Sequence, residues 1–202
     1  MLGLEGELLR RRLSRMLAAS VPRFHYRSIS ANLAANAAKL RSLVTTLDVD
    51  ALHLVGHSLG GLVILKMFEQ QGSAVLPPGR VVLLGSPVAG SRAARSVAKW
   101  RSGQRILGLS AIDGLLPFAV PRWQQPRDLG VLAGNRDIGI GRLVNSHAGE
   151  NDGTVYVDET RIAGMKEQLI VPVNHFGLPF SSAVATLTAS FLANGCFRSL
   201  IA

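Results

Sequence analysis

The chain has 202 residues, 48% hydrophobic and 17% charged, a balance that excludes an intrinsically disordered chain and is enough for one domain with a sizeable core. Its net charge of +9 comes mostly from arginine. With no aromatic residues interleaved among the basic ones and no nucleic-acid-binding motif, the charge reads as a solvated basic surface, and nucleic acid is not an expected partner. No apolar run reaches the length of a bilayer span, so stable membrane insertion is not expected. Cys196 is the single cysteine, which forbids an internal disulfide and any Cys-based metal set. Glu5 and Glu7 precede the first basic cluster, against signal-peptide order. A cytoplasmic location and no metal or organic cofactor are the expectations.

Taken in order, residues 4 to 17 have helical spacing, with Leu9, Leu13, Met16 and Leu17 on one face and Leu8 beside it. Glu7 and Arg11 form an i,i+4 pair, and the acidic start and arginine-rich end suit the helix dipole. Arg23 to Ser28 reads as a short strand. Ser30 is the expected N-cap of a second helix to about Leu47, on a stripe of Leu33, Ala37, Leu40, Val44 and Leu47. The apolar run Ala51 to Val55 reads as a buried strand, and Leu59, Leu62, Val63 and Met67 as a helix to about Gln71 with Gly72 as C-cap.

Between that strand and helix stands Gly56-His57-Ser58-Leu59-Gly60, a G-x-S-x-G. A serine on so sharp a strand-to-helix turn is backbone-strained, and Gly56 and Gly60 are expected to leave the room the turn needs. The turn lifts the Ser58 hydroxyl out of the sheet, at a helix N-terminus where the dipole favours developing negative charge.

Arg80 to Gly85 is an apolar strand of the buried parallel kind, followed by a helix near Ser91 to Trp100. Residues 101 to 126 break the rhythm with Pro117, Pro121 and Pro126 among Leu115, Leu116, Phe118, Val120 and Trp123. They read either as a short lid or wall facing substrate, or as an irregular loop packed on the core. Asp128 to Gly134 is a third strand, residues 134 to 153 a long loop, and Gln168 to Val173 a fourth strand. Ser181 or Ser182 caps a last helix with Val184, Leu187 and Phe191 on its apolar face, ended by Asn194-Gly195. Strands alternating with helices predict one α/β domain over residues 1 to 202: a mainly parallel sheet with helices on both faces. Ligands in such sheets bind at the carboxyl ends of the strands, where Ser58 lies.

A serine needs a base within hydrogen-bond reach, and the base needs an orienting group. In this architecture the order is serine, acid, histidine. His175, between the fourth strand and the last helix, meets that order. His147 precedes the best acid, His25 and His53 precede Ser58 and read as strand residues, and His57 is inside the turn, facing elsewhere. The acid of choice is Asp152, on the loop after the third strand with Gly153 permitting a tight turn; Asp137, Glu150 and Asp158 compete. Asp152 also reads as a simple Asx-turn residue.

Gly-His-Ser-Leu-Gly-Gly, Asn-Asp-Gly-Thr-Val and Val-Asn-His-Phe-Gly-Leu-Pro-Phe-Ser together resemble the α/β-hydrolase fold family, specifically its lipase-like and esterase-like bacterial members, over nearly the whole chain. The resemblance implies Ser58 as nucleophile, His175 as general base and acid, Asp152 as the orienting carboxylate and the Leu59 N–H as one oxyanion donor. It implies hydrolysis of a small-molecule ester or lipid through an acyl-enzyme. One departure stands out: no His-Gly, which in the family follows a central strand and gives the second oxyanion donor, occurs upstream of Ser58. The sequence thus reads as an α/β-hydrolase shortened at its N-terminus, with a strand-wide gap expected between Arg23–Ser28 and Ala51–Val55. Acyl transfer by the same three residues, or a catalytically impaired remnant with an incomplete oxyanion hole, are the competing readings.

Overall fold

Four short segments carry the architecture: each pairs its backbone with its neighbour, and the two central ones are buried on both faces. The computed structural model describes residues 4–70, 75–98, 109, 115, 122–138 and 149–198. The strands are β1 (Leu54–His57), β2 (Val81–Leu84), β3 (Leu129–Gly134) and β4 (Glu167–Val171). They form one parallel sheet in the order β1-β2-β3-β4. Side chains alternate across it, as the strand period requires. Val81, Leu83, Leu129 and Val131 face one core, and Val82, Leu84, Leu132 and Val171 face the other.

Helices cover both faces. The first core is closed by α2 (Leu33–Thr45) through Leu33, Ala37, Leu40 and Val44, and by α3 (Leu59–Glu69) through Leu62, Val63, Ile64, Met67 and Phe68. The second is closed by α1 (Leu4–Leu17) through Leu9 and Leu13, and by α5 (Ser182–Asn194) through Val184, Ala185, Ala189, Phe191 and Leu192. A short α4 (Arg92–Ala98) follows β2, with Ser91 Oγ accepting from the Ala94 N–H at 3.1 Å. On α1, Met16 is exposed while Leu9 and Leu13 are buried. Glu7 binds Arg11 as the spacing predicts and Arg10 as well, and the two guanidiniums hold its carboxyl well below the usual range. The last helix has the caps that the sequence announces: Ser181 Oγ accepts from the Val184 N–H, and Gly195 ends it in the left-handed region at φ 76°.

Four expectations are corrected. Arg23 to Ser28 is extended but forms no strand. Its alternation is real: Phe24 and Tyr26 pack on the first core. Side chains of α2 supply backbone partners, and the Arg27 carbonyl also accepts from the Ala31 N–H at 3.2 Å. Asn36 accepts from the Arg27 N–H and donates to the Arg27 carbonyl, and Lys39 donates to the His25 carbonyl. Among the described residues β1 is an edge of the sheet. The cap of α2 is Asn32, not Ser30; its Oδ1 accepts from the Ala35 N–H at 2.8 Å. The first strand sits further along than Ala51 to Val55. By the register Pro78, Gly79 and Arg80 lie beside the start of that run; Pro78 has no N–H and the Arg80 N–H goes to the His53 ring, whereas pairing continues past His57 to the Ser58 N–H, which donates to Leu84 O at 2.9 Å. His25 and His53 are accordingly not strand residues.

Most of 101 to 126 lies outside the described residues, as does the expected cap Gly72. Trp123 is described, and it packs on the core: its ring meets Phe68 edge-on at 5.1 Å, and its Nε1–H donates to Arg127 O at 2.7 Å.

Candidate active site

Gly56 to Gly61 carries β1 into α3 within a single residue. Ser58 is at φ 53°, ψ −126°, outside the ordinary regions for a residue with a side chain. Such a conformation costs of order 1–3 kcal/mol and persists only when its surroundings over-determine it. Here the Ser58 N–H is tied to Leu84 O and the Ser58 carbonyl accepts from the Gly61 N–H at 3.0 Å. The room for the turn comes from Gly56 and Gly61. A Cβ on Gly56 would lie 2.6 Å from Gly61 Cα, and one on Gly61 would lie 2.1 Å from Ser86 Oγ. Gly60, the partner the motif suggests, is open: a Cβ there meets only the Tyr26 hydroxyl, at 3.8 Å.

Gly61→Ala is therefore expected to destabilise the fold by about 1–3 kcal/mol, the usual cost of overpacking. Gly60→Ala should be neutral or stabilising by up to about 1 kcal/mol, as alanine is the better helix former. Denaturant midpoints measure both, and equal midpoints for the two variants would contradict this account of the turn.

His175 follows β4, at the same end of the sheet as Ser58. Its Nε2 lies 3.0 Å from Ser58 Oγ, and its Nδ1 lies 2.7 Å from Asp152 Oδ2. His175 and Asp152 are buried, whereas Ser58 is partly exposed. Asp152 keeps both of its expected characters by dividing them between its oxygens. Oδ1 makes the Asx turn, accepting from the Thr154 N–H at 3.0 Å and the Val155 N–H at 2.7 Å; Oδ2 faces the imidazole. Its backbone adds a clamp, since the His175 N–H donates to Asp152 O at 2.8 Å. Gly85, at the end of β2, makes room for the pair: a Cβ there would stand 2.7 Å from Leu178 Cδ1 and 3.1 Å from Asp152 Oδ2.

The other acids are elsewhere. Asp137 is exposed, Asp158 is engaged by both guanidinium nitrogens of Arg92, and Glu150 is exposed with Asn135 donating to it at 3.5 Å. Among the histidines, His25 is exposed, His53 accepts from the Arg80 N–H below the start of β1, and His147 lies outside the described residues.

His57 is the residue whose position the sequence misplaces. It does not face away; its ring lies 4.9 Å from that of His175, and its Nε2 is 3.1 Å from the His175 carbonyl oxygen. Burial, and then the neighbouring His175, push its pKa down to about 3. The signal available in the sequence was adjacency to Ser58. What it lacked was the direction of the side chain, which alternates along β1 away from its serine neighbour and toward the β4 side.

The Leu59 N–H stands first in α3, where the helix supplies it no acceptor of its own. Among the described residues no group of three or more His, Cys, Asp or Glu side chains is arranged to hold a metal ion, and no helix is long and apolar enough to cross a membrane.

A parallel sheet with helices on both faces, a strained serine at a strand's carboxyl end, and a histidine and a buried aspartate in line with it define an α/β hydrolase architecture. The sequence profile of the alpha/beta hydrolase family matches residues 6–187, and the chain belongs to that family. No curated protein matches it. Among solved structures it is similar to the mature lipase BlEst2 of Bacillus licheniformis, at 21% identity and a TM-score of 0.58 over 81% of this chain and 74% of that one. It is similar to the metagenomic carboxyl esterase MGS0156, at 20% identity and a TM-score of 0.63 over 94% of this chain and 64% of that one. It is also similar to the phospholipase PlaB of Legionella pneumophila, at 17% identity and a TM-score of 0.57, over 95% of this chain and 53% of that one. This chain thus spans about half to three quarters of the length of these proteins, and identities this low establish the shared fold.

Proposed function

We propose that the chain is a serine hydrolase that cleaves carboxylic esters through an acyl-enzyme on Ser58. The observation that carries this reading is the unbroken line from Ser58 Oγ to His175 Nε2 and from His175 Nδ1 to Asp152 Oδ2, at 3.0 and 2.7 Å. His175 Nε2 takes the proton of Ser58 as Oγ attacks the ester carbonyl carbon, and the imidazolium that forms is held at Nδ1 by Asp152. The carbonyl oxygen becomes negative and accepts a hydrogen bond from the Leu59 N–H, at the positive end of α3. His175 then gives the proton to the leaving alkoxide, and the alcohol departs. Water attacks the acyl-enzyme as His175 takes its proton, releasing the acid and restoring Ser58. A small-molecule ester or lipid is the substrate class that goes with this chemistry, and the lipase, carboxyl esterase and phospholipase of the same fold support it.

The same three residues serve acyl transfer if an alcohol takes the acyl group in place of water. Turnover of a soluble aryl ester, with product analysis in the presence of competing alcohols, tests the reading and separates its branches. Free acid as the dominant product is the expected result. Predominant transfer to the alcohol at low alcohol concentration indicates a transferase, and no turnover of any ester with intact fold overturns the proposal.

A further inference from the structure

We propose that His57 is a positioning residue, a side-chain latch from the strand that carries Ser58 to the loop that carries His175. The inference rests on the serine-hydrolase reading above. Its basis is the 3.1 Å contact between His57 Nε2 and the main-chain oxygen of His175. A carbonyl only accepts, so Nε2 carries the hydrogen and donates it, and the tautomer is fixed.

Apart from the contact with Ser58 Oγ, the ring and N–H ties on His175 lead to one place. Asp152 takes its ring at Nδ1 and its backbone N–H at the carbonyl. Both belong to the loop after β3, so neither fixes His175 relative to β1. His57 does. It is joined to Ser58 by a peptide bond, its side chain reaches the His175 carbonyl, and the His175 ring returns to Ser58 Oγ. The three links close a ring that holds the Oγ–Nε2 separation. Without the middle link the Oγ–Nε2 contact is itself the tie left between His175 and the end of β1, and a misplacement of about 1 Å can cost about 10²-fold in rate.

A neutral ring suits the latch's position. His175 becomes cationic during the reaction, 4.9 Å from the His57 ring, and a second cation there would oppose it. His175 is the titratable side chain that acts on His57, and Asp152 stands beyond the His175 ring. Burial disfavours the charged form of His57.

Three variants separate the latch from mere packing. In His57→Gln the amide nitrogen reaches the place of Nε2. In His57→Asn it reaches only the place of Nδ1, and His57→Leu keeps volume without a donor. The expected result is a fall of about tenfold or more in kcat for an aryl ester in His57→Leu and His57→Asn, with KM within about twofold, and His57→Gln within about threefold of wild type. Should the leucine variant not fold, the asparagine variant carries the comparison. Wild-type kcat in a folded His57→Leu or His57→Asn, or an equal loss in His57→Gln, overturns the latch.

Nitrogen-15 NMR of the histidine rings in the wild-type chain provides a readout independent of turnover. It should show His57 neutral and protonated on Nε2 at roughly pH 5 to 8. A neutral ring protonated on Nδ1 overturns the latch, because Nε2 then has no hydrogen to donate. A chain with the expected spectrum but no esterase activity sinks the serine-hydrolase reading instead, so the two failures are distinguishable.

Discussion

Ser58→Ala is expected to reduce ester turnover to background, a loss of about 10⁶-fold in kcat when the nucleophile of such a constellation is removed. The reason is local. Ser58 Oγ is the hydroxyl within hydrogen-bond reach of His175 Nε2, and alanine leaves the base with nothing to deprotonate but water. The variant should fold normally, because the backbone ties of residue 58, to Leu84 O and from Gly61 N, do not involve the side chain.

A companion variant tests the strain. Ser58→Gly removes the same hydroxyl but also relieves a residue held at φ 53°, so it should be as inactive as Ser58→Ala and more stable by about 1 kcal/mol. Full turnover by either variant would sink the serine mechanism. A glycine variant less stable than the alanine one would show that the turn is not strained in the way the backbone indicates.

The second large effect is expected at Asp152. In Asp152→Asn, Oδ1 can still accept from the Thr154 and Val155 N–H groups, so the Asx turn survives. The amide nitrogen then takes the place of Oδ2, facing His175 Nδ1. An NH₂ group donates, so Nδ1 must become the acceptor and the ring hydrogen moves to Nε2. A protonated Nε2 cannot take the proton of Ser58. A loss of about 10⁴-fold in kcat with the fold intact is the expected outcome, as for a wrong tautomer in a serine–histidine–aspartate site. Asp137→Asn, on an exposed residue away from the imidazole, should change kcat by less than about twofold. Reversed magnitudes for the two variants would reassign the orienting acid.

Much of this site was legible in the chain itself, because local chemistry leaves local marks. A glycine-bracketed serine between an apolar run and a helical stripe dictates a strained turn at a strand's carboxyl end. Apolar runs without polar alternation dictate strands buried on both faces, as β2 and β3 are. Ser181 and Gly195 mark the ends of α5 because a cap is a short-range hydrogen bond and a left-handed residue is a local conformation. The alternation of strands and helices points to an architecture in which the order is serine, acid, histidine, and Ser58, Asp152 and His175 fit that order.

Tertiary structure alone decided the rest, wherever the partner is distant in sequence. Phe24 and Tyr26 alternate like a strand, but whether an extended segment becomes one depends on who supplies its hydrogen bonds, and here Asn36 and Lys39 of α2 do. Gly61, not Gly60, is the indispensable small residue because Ser86, which follows β2, comes within contact of it in the fold. His57 sits beside Ser58 in any reading, yet its bond to the His175 carbonyl exists only because parallel pairing puts the ends of β1 and β4 at one end of the sheet, where the loop after β4 reaches the turn after β1. Asp152 divides its two oxygens between its own turn and a distant imidazole, and the sequence offers no sign of that division, since one use is local and the other is made by the sheet.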